Sequence, residues 1–257
     1  MPFPLETFAQ MQIFFWVLIR ISIILFLMPL FGAKGVPILW KAGLSFVLAM
    51  VITPVVPVPQ SYPETTVDII LGIFSEILLG LILALSVKML FASIQMAGQY
   101  MAFQMGFAMA RAMDPMTGVQ ETVLSQFLYL FMILVFITID GHHIFIKALA
   151  ASFYRVPPLS FSLNPAIATT LIKVSAQMFP LALRLAAPIL VALFLSNLCL
   201  GIIAKTVPQM NILMVGFPIN ISLGFIIFGL MLANLSPFFK DLTNRAGHLL
   251  FHLLNLM

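Results

Sequence analysis

The chain has 257 residues, of which 62% are hydrophobic and 8% charged, with a mean hydropathy of +1.15. A soluble domain carries about 25% charged residues, and the 12 basic and 8 acidic side chains here cannot coat a 28.4 kDa globule in water, which excludes a soluble enzyme. The net charge of +4 is spread thinly, no Lys/Arg run reads as a nucleic-acid arm or polybasic lipid patch, and the single cysteine, Cys199, excludes an intrachain disulfide.

The N-terminus reads Met-Pro-Phe-Pro-Leu-Glu and meets no cation before Arg20, unlike the basic start of a cleaved signal peptide, so the first apolar run is expected to stay. A membrane-spanning helix needs about 20 mainly apolar residues. Taken along the chain, the candidates are residues 8–31, interrupted by Arg20, then 42–54, then 69–90, which holds Glu76 and Lys88. Residues 122–139, 185–204 and 212–239 follow without a charge. About six spans result, and the fold class is an all-α membrane protein of helical hairpins. Proline and glycine punctuate the connections, as in Gly32-Ala-Lys-Gly-Val-Pro37 and Val156-Pro-Pro158. Two of these share a phrase, Ala33-Lys-Gly-Val-Pro37 and Ala204-Lys-Thr-Val-Pro208, a faint sign of two related halves. Placing Lys34 and Lys41 in the cytoplasm by the positive-inside rule puts Lys147, Arg155, Lys240 and Arg245 outside, against the same rule. The chain is therefore not a plain serpentine, or the span count is off.

Charges inside apolar spans are expensive and face partners. Arg20 is the most isolated and reads as a structural ion pair, a carbonyl clamp, or a directly functional group. Asp68, Gly72, Glu76, Gly80, Ala84 and Lys88 recur at every fourth position, a row that drifts by about 40° per step around a helix. Such a row suits a helix packed against several neighbours, or ordinary packing within one chain. The stretch from Gln95 to Val119 is nearly uncharged yet rich in Gln and Gly. Met101, Met105, Met109 and Met113 recur in it every four residues, beside Phe103 and Phe107. Methionine is unbranched and adaptable, so this row is either plain core or a deformable seal that a large substrate can squeeze past. Gly98, Gly106 and Asp114-Pro115 are expected to loosen or end a helix there.

Catalytic and metal constellations are missing from the sequence. His142 and His143 follow Asp140-Gly141, but adjacent histidines are expected to point to different sides, and no zinc spacing completes them. His248 and His252 lie in an amphipathic tail with Leu249, Leu250, Leu253 and Leu254, which reads as a surface or partner-packing helix. No metal and no cofactor are expected.

In sequence order, Arg20, Met28-Pro-Leu-Phe-Gly32, Gly98, Gln104-Met-Gly-Phe107, Asp114-Pro115, Leu124-Ser-Gln-Phe127 and Asp140-Gly-His142 form one series of markers. Leu200-Gly-Ile-Ile-Ala204, Val207-Pro-Gln-Met-Asn211 and Gly216-Phe-Pro218 complete it. With these, the whole chain resembles the flagellar biosynthetic protein FliR family, a component of the export gate shared with type III secretion. The resemblance implies a non-enzymatic subunit in the bacterial inner membrane and flagellar basal body. Its implied partners are P-type and Q-type gate subunits, an FlhB-type switch protein and the unfolded flagellar proteins in transit. It also implies a P-like part over residues 1–165 and a Q-like hairpin part over 166–257. The family's pore plug corresponds to residues 98–118, which assigns Met101, Met105, Phe107, Met109 and Met113 to gating. Arg20, Glu76, Lys88, Asp114 and Arg184 become structural or inter-subunit polar residues. This chain is richer in methionine in the plug than the family pattern leads one to expect. The rival reading is a secondary transporter of a small solute, suggested by the repeated phrase and the Gln-rich stretch.

Overall fold

The computed structural model describes residues 8–29, 36–57, 63, 65–107, 122–207, 209 and 211–257. Among these the secondary structure is helical: α1 (Phe8–Leu27), α2 (Ile38–Ile52) with a short 3-10 turn after it (Thr53–Val55), and α3 (Thr66–Gln104). Then come α4 (Val123–Thr138), α5 (Gly141–Arg155), α6 (Pro165–Thr206), α7 (Ile212–Leu232) and α8 (Leu235–Leu256). Five helices are long and apolar enough to cross a membrane, or six if α4 and α5 count together as one span. The fold class is thus an all-α membrane protein, with a span count close to the sequence expectation.

Local chemistry explains where the helices begin. Thr65 and Asp68 form a reciprocal capping box at the start of α3, each backbone N–H donating to the other's side-chain oxygen, at 3.1 and 3.2 Å. Thr122 caps α4 by accepting from Ser125 N–H at 3.2 Å, and Asn211 caps α7 by accepting from Met214 N–H at 3.3 Å. Pro165, whose missing N–H costs nothing at a first helical position, opens α6. That helix also carries Pro180 and Pro188 internally.

Three sequence expectations about helix ends are corrected. α6 begins at Pro165, twenty residues before the expected 185. α3 does not stop near residue 90; it continues through Gly98 to Gln104. Gly98 serves close packing rather than a break, because a Cβ there would lie 2.4 Å from the Ser125 Cα of α4. Gly106 does end the helix, with φ +93°. The apolar run 212–239 is likewise two helices, divided at Ala233 and Asn234, a break its uniform hydrophobicity conceals.

The chain divides into two compact units, each made of separate stretches. The first comprises Met1–Leu90, Asp140–Ser175 and Thr243–Met257. Its core is a stripe on α1 (Ile13, Trp16, Val17, Ile21, Ile24) with Leu79, Leu83 and Val87 of α3, Phe145, Leu149 and Phe153 of α5, and Leu250, Leu253 and Leu254 of α8. α1 and α3 run in the same direction: Trp16 lies at Gly72, Arg20 at Glu76 and Ile23 at Gly80. Cβ atoms added at Gly72 and Gly80 would come within 2.9 Å of Trp16 and 3.1 Å of Ile23. Two steps of the four-residue row drift by only about 80°, so α1, together with Leu159 beside Gly72 and Glu76, covers its middle, while Asp68 and Lys88 at its ends are exposed.

The second unit comprises Phe91–Ile139 and Ala176–Leu242. Its helices meet through aromatic pairs. Phe91 meets Phe136 edge-on at 5.7 Å, Phe127 meets Phe228 at 5.7 Å, and Phe131 meets Phe239 at 5.9 Å. Little of its long helices is covered by the chain itself. Only 17% of the most apolar window of α6 and 22% of that of α7 is buried.

Candidate functional site

A buried ionic node lies in the first unit. Arg20 Nε donates to Glu76 Oε2 at 2.6 Å and Nη2 donates to Oε1 at 2.9 Å, a two-pronged pair with both side chains 0% exposed. Nη1 donates to the carbonyls of Ser152 at 3.1 Å and Val156 at 2.8 Å. These carbonyls belong to the C-terminal end of α5, where the helix dipole favours a cation. Glu76 Oε1 also accepts from the Leu159 N–H at 3.1 Å, and the guanidinium lies 4.5 Å over the Phe153 ring. One arginine thus ties α1 to α3 and, with Glu76, pins the Pro157-Pro158 turn, where Leu159 is left-handed at φ +72°. It is ion pair and carbonyl clamp at once, and its partners are in the same chain. Next to it, Arg155 in the last turn of α5 donates to Asn255 Oδ1 and, at 3.4 Å, to the Phe251 carbonyl of α8.

The methionine row begins in the second unit. Met101 and Met105 are wholly buried, while Phe103 between them is 70% exposed. Met105 fills a notch at Gly224 of α7, where an added Cβ would lie 2.7 Å from Met105 Cγ. Gly106, with its positive φ, admits the Phe217 ring, and Phe107 meets Phe225 edge-on at 6.2 Å. The described end of the row is therefore seated on α7 through two glycines. Met109, Met113 and Asp114 lie outside the described residues. Lys88 is exposed on α3, and Arg184 is exposed beside an open groove lined by Pro188, Ile227, Leu230, Asn234 and Phe238.

A polar cluster not anticipated from the sequence joins α6 to α7. Ser196 Oγ donates to Asn220 Oδ1 at 3.0 Å, and Asn220 Nδ2 donates to Asn197 Oδ1 at 2.7 Å. Its signal was present as uncharged polar residues in two charge-free runs, which a search for charges passes over. The histidine expectation also changes. His142 and His143 do not point to different sides; their ring centroids are 4.2 Å apart. Asp140 is left-handed at φ +56°, and both rings lie within 4.0 Å of its Oδ1.

Comparison with known proteins gives this architecture a family. The family model described as bacterial export proteins, family 1, matches residues 11–246. The chain is 36% identical to the flagellar biosynthetic protein FliR of Bacillus subtilis over 216 residues, 83% of each chain. It is 35% identical to FliR of Pectobacterium carotovorum over 240 residues, 92% of this chain and 90% of that one. Against FliR of Escherichia coli it is 27% identical over 242 residues, 94% and 92% of the two. A chain of buried-charge and apolar helices that matches these proteins over nearly its whole length belongs to the FliR family of bacterial export proteins.

Proposed function

We propose that the chain is a structural and gating subunit of the flagellar type III protein export gate in the inner membrane, without enzymatic activity. The observation that carries this reading is the near full-length likeness to flagellar biosynthetic proteins of a chain whose long helices leave most of their apolar surface uncovered. At 1.5 Å per residue, the 42 residues of α6 extend about 63 Å, roughly twice a bilayer's hydrocarbon core. Such a helix fits an assembly partly raised out of the bilayer plane, its apolar faces covered by P-type and Q-type subunits and an FlhB-type switch protein. Residues 1–165 form the P-like part and 166–257 the Q-like part. The conduit passes unfolded rod, hook and filament proteins.

In this reading residues 98–118 are the plug. Met101 and Met105 back it from inside, while Phe103, Phe107, Met109 and Met113 form the yielding surface. Arg20 and Glu76 brace the first unit, and Lys88, Asp114 and Arg184 serve contacts with sister subunits.

Deletion of the gene tests the proposal. The export-gate reading expects loss of hook and filament secretion, restored by the intact gene and not by a copy lacking residues 98–118. Normal flagellar secretion in the deletion strain would refute it.

A further inference from the structure

Asp140 precedes α5 at the N-cap position with φ +56° and ψ +28°, a left-handed conformation uncommon outside glycine, asparagine and aspartate. An aspartate here usually turns its carboxylate onto the free N–H groups of the helix. This one makes no such bond. Its Oδ1 lies instead 3.3 Å from His143 Nδ1 and 4.0 Å from His142 Nε2. One potential ligand atom from each of the three side chains falls within 4.8 Å of the others. His142 Nε2 is the ring nitrogen on the carboxylate side, and Nδ1 is buried without a hydrogen-bond partner.

We propose that Asp140, His142 and His143 form a binding site for a divalent transition cation of the zinc type. Two imidazoles and a carboxylate are a donor set that zinc accepts at bond lengths of about 2.0–2.2 Å. Tetrahedral ligands at that length stand about 3.4 Å apart. The 3.3 Å separation already meets this, and side-chain rotations are needed to close the 4.0 Å one and to bring the two imidazole nitrogens, within 4.8 Å of each other, to the same spacing. Magnesium and calcium, which want six or more oxygens, fit poorly. The Asp140 carboxylate also offsets the partial positive charge of the helix N-terminus, which would otherwise repel a cation. All three side chains are at least one-third exposed, so the fourth position is open to water or to a donor from a neighbouring chain. A bound ion would lock the left-handed turn that starts α5.

Untagged full-length protein, purified with whatever subunits accompany it and stripped with a chelator, is titrated with zinc alone and then with cobalt as a spectroscopic probe. The site predicts one zinc per chain and visible cobalt bands of four-coordinate type. Asp140→Asn, which keeps a residue tolerant of the left-handed backbone, and His142→Gln with His143→Gln each weaken binding by more than about tenfold. His248→Gln with His252→Gln, an exposed pair four residues apart on α8, leaves binding intact. No zinc on the unmodified chain, binding unchanged in the Asp140 and His142/His143 variants, or binding lost with His248 and His252 would overturn the proposal.

Discussion

Arg20 sits where neither water nor lipid reaches it, and its charge is tolerated because Glu76, two carbonyls and an aromatic face surround it. Removing one partner of such a pair leaves an uncompensated buried charge, at a cost of about 3–5 kcal/mol. Arg20→Ala is therefore expected to lower the unfolding stability of the detergent-solubilised protein by about that amount, and its level in the membrane with it. Arg20→Met combined with Glu76→Leu should recover much of the loss, since both charges disappear together. A single variant no worse than the double would show that the pair is not what holds the node. The sequence announced the importance of Arg20 by isolation alone. It could not name the partners, because Glu76 is 56 residues away and Ser152 132, and only tertiary structure joins them.

Between helices, the glycines divide by what stands beside them. Gly98 touches the backbone of α4, which cannot swing aside as a side chain can. Gly98→Ala must push α3 and α4 apart, at about 1–3 kcal/mol. Gly201 on α6 has nothing within 4 Å, so in the isolated chain Gly201→Ala should be neutral or stabilise by up to about 1 kcal/mol. Thermal unfolding of the two variants separates them; equal effects would contradict the close approach. The plug prediction belongs at this scale too. Phe103→Ala with Phe107→Ala should raise the resting ion leak of the assembled gate, and unchanged conductance would mean that this segment only packs. The sequence located α1, α2, α4 and the start of α7 because apolar runs are local signals, but it began α6 twenty residues late and gave α5 no span. It shortened α3 because a glycine that ends a helix and one that lets a neighbour in look alike in sequence. It missed the division between α7 and α8 because apolar residues continue on both sides of Asn234. The Met row was legible as a period of four, but the wholly buried Met101 and Met105 and the exposed Phe103 follow from contacts with α7 that no period encodes.

The whole molecule leaves a large apolar surface without cover from its own chain. Ile172, Phe179, Val191, Phe194 and Ile202 on α6, with Met214, Phe225, Ile226 and Leu230 on α7, are all more than half exposed. In a lone membrane protein lipid would cover them all; in an export gate sister helices would cover a large share. Composition foretold the apolar surface but not its occupant, and the positive-inside count conflicts with a plain serpentine of the expected spans. Mild detergent extraction from membranes of flagellated cells, followed by measurement of the particle's mass and composition, tests the central claim most directly. The account predicts that the chain elutes in one large complex with P-type and Q-type subunits. A stable monomer or dimer that moves a small solute across liposomes would contradict it.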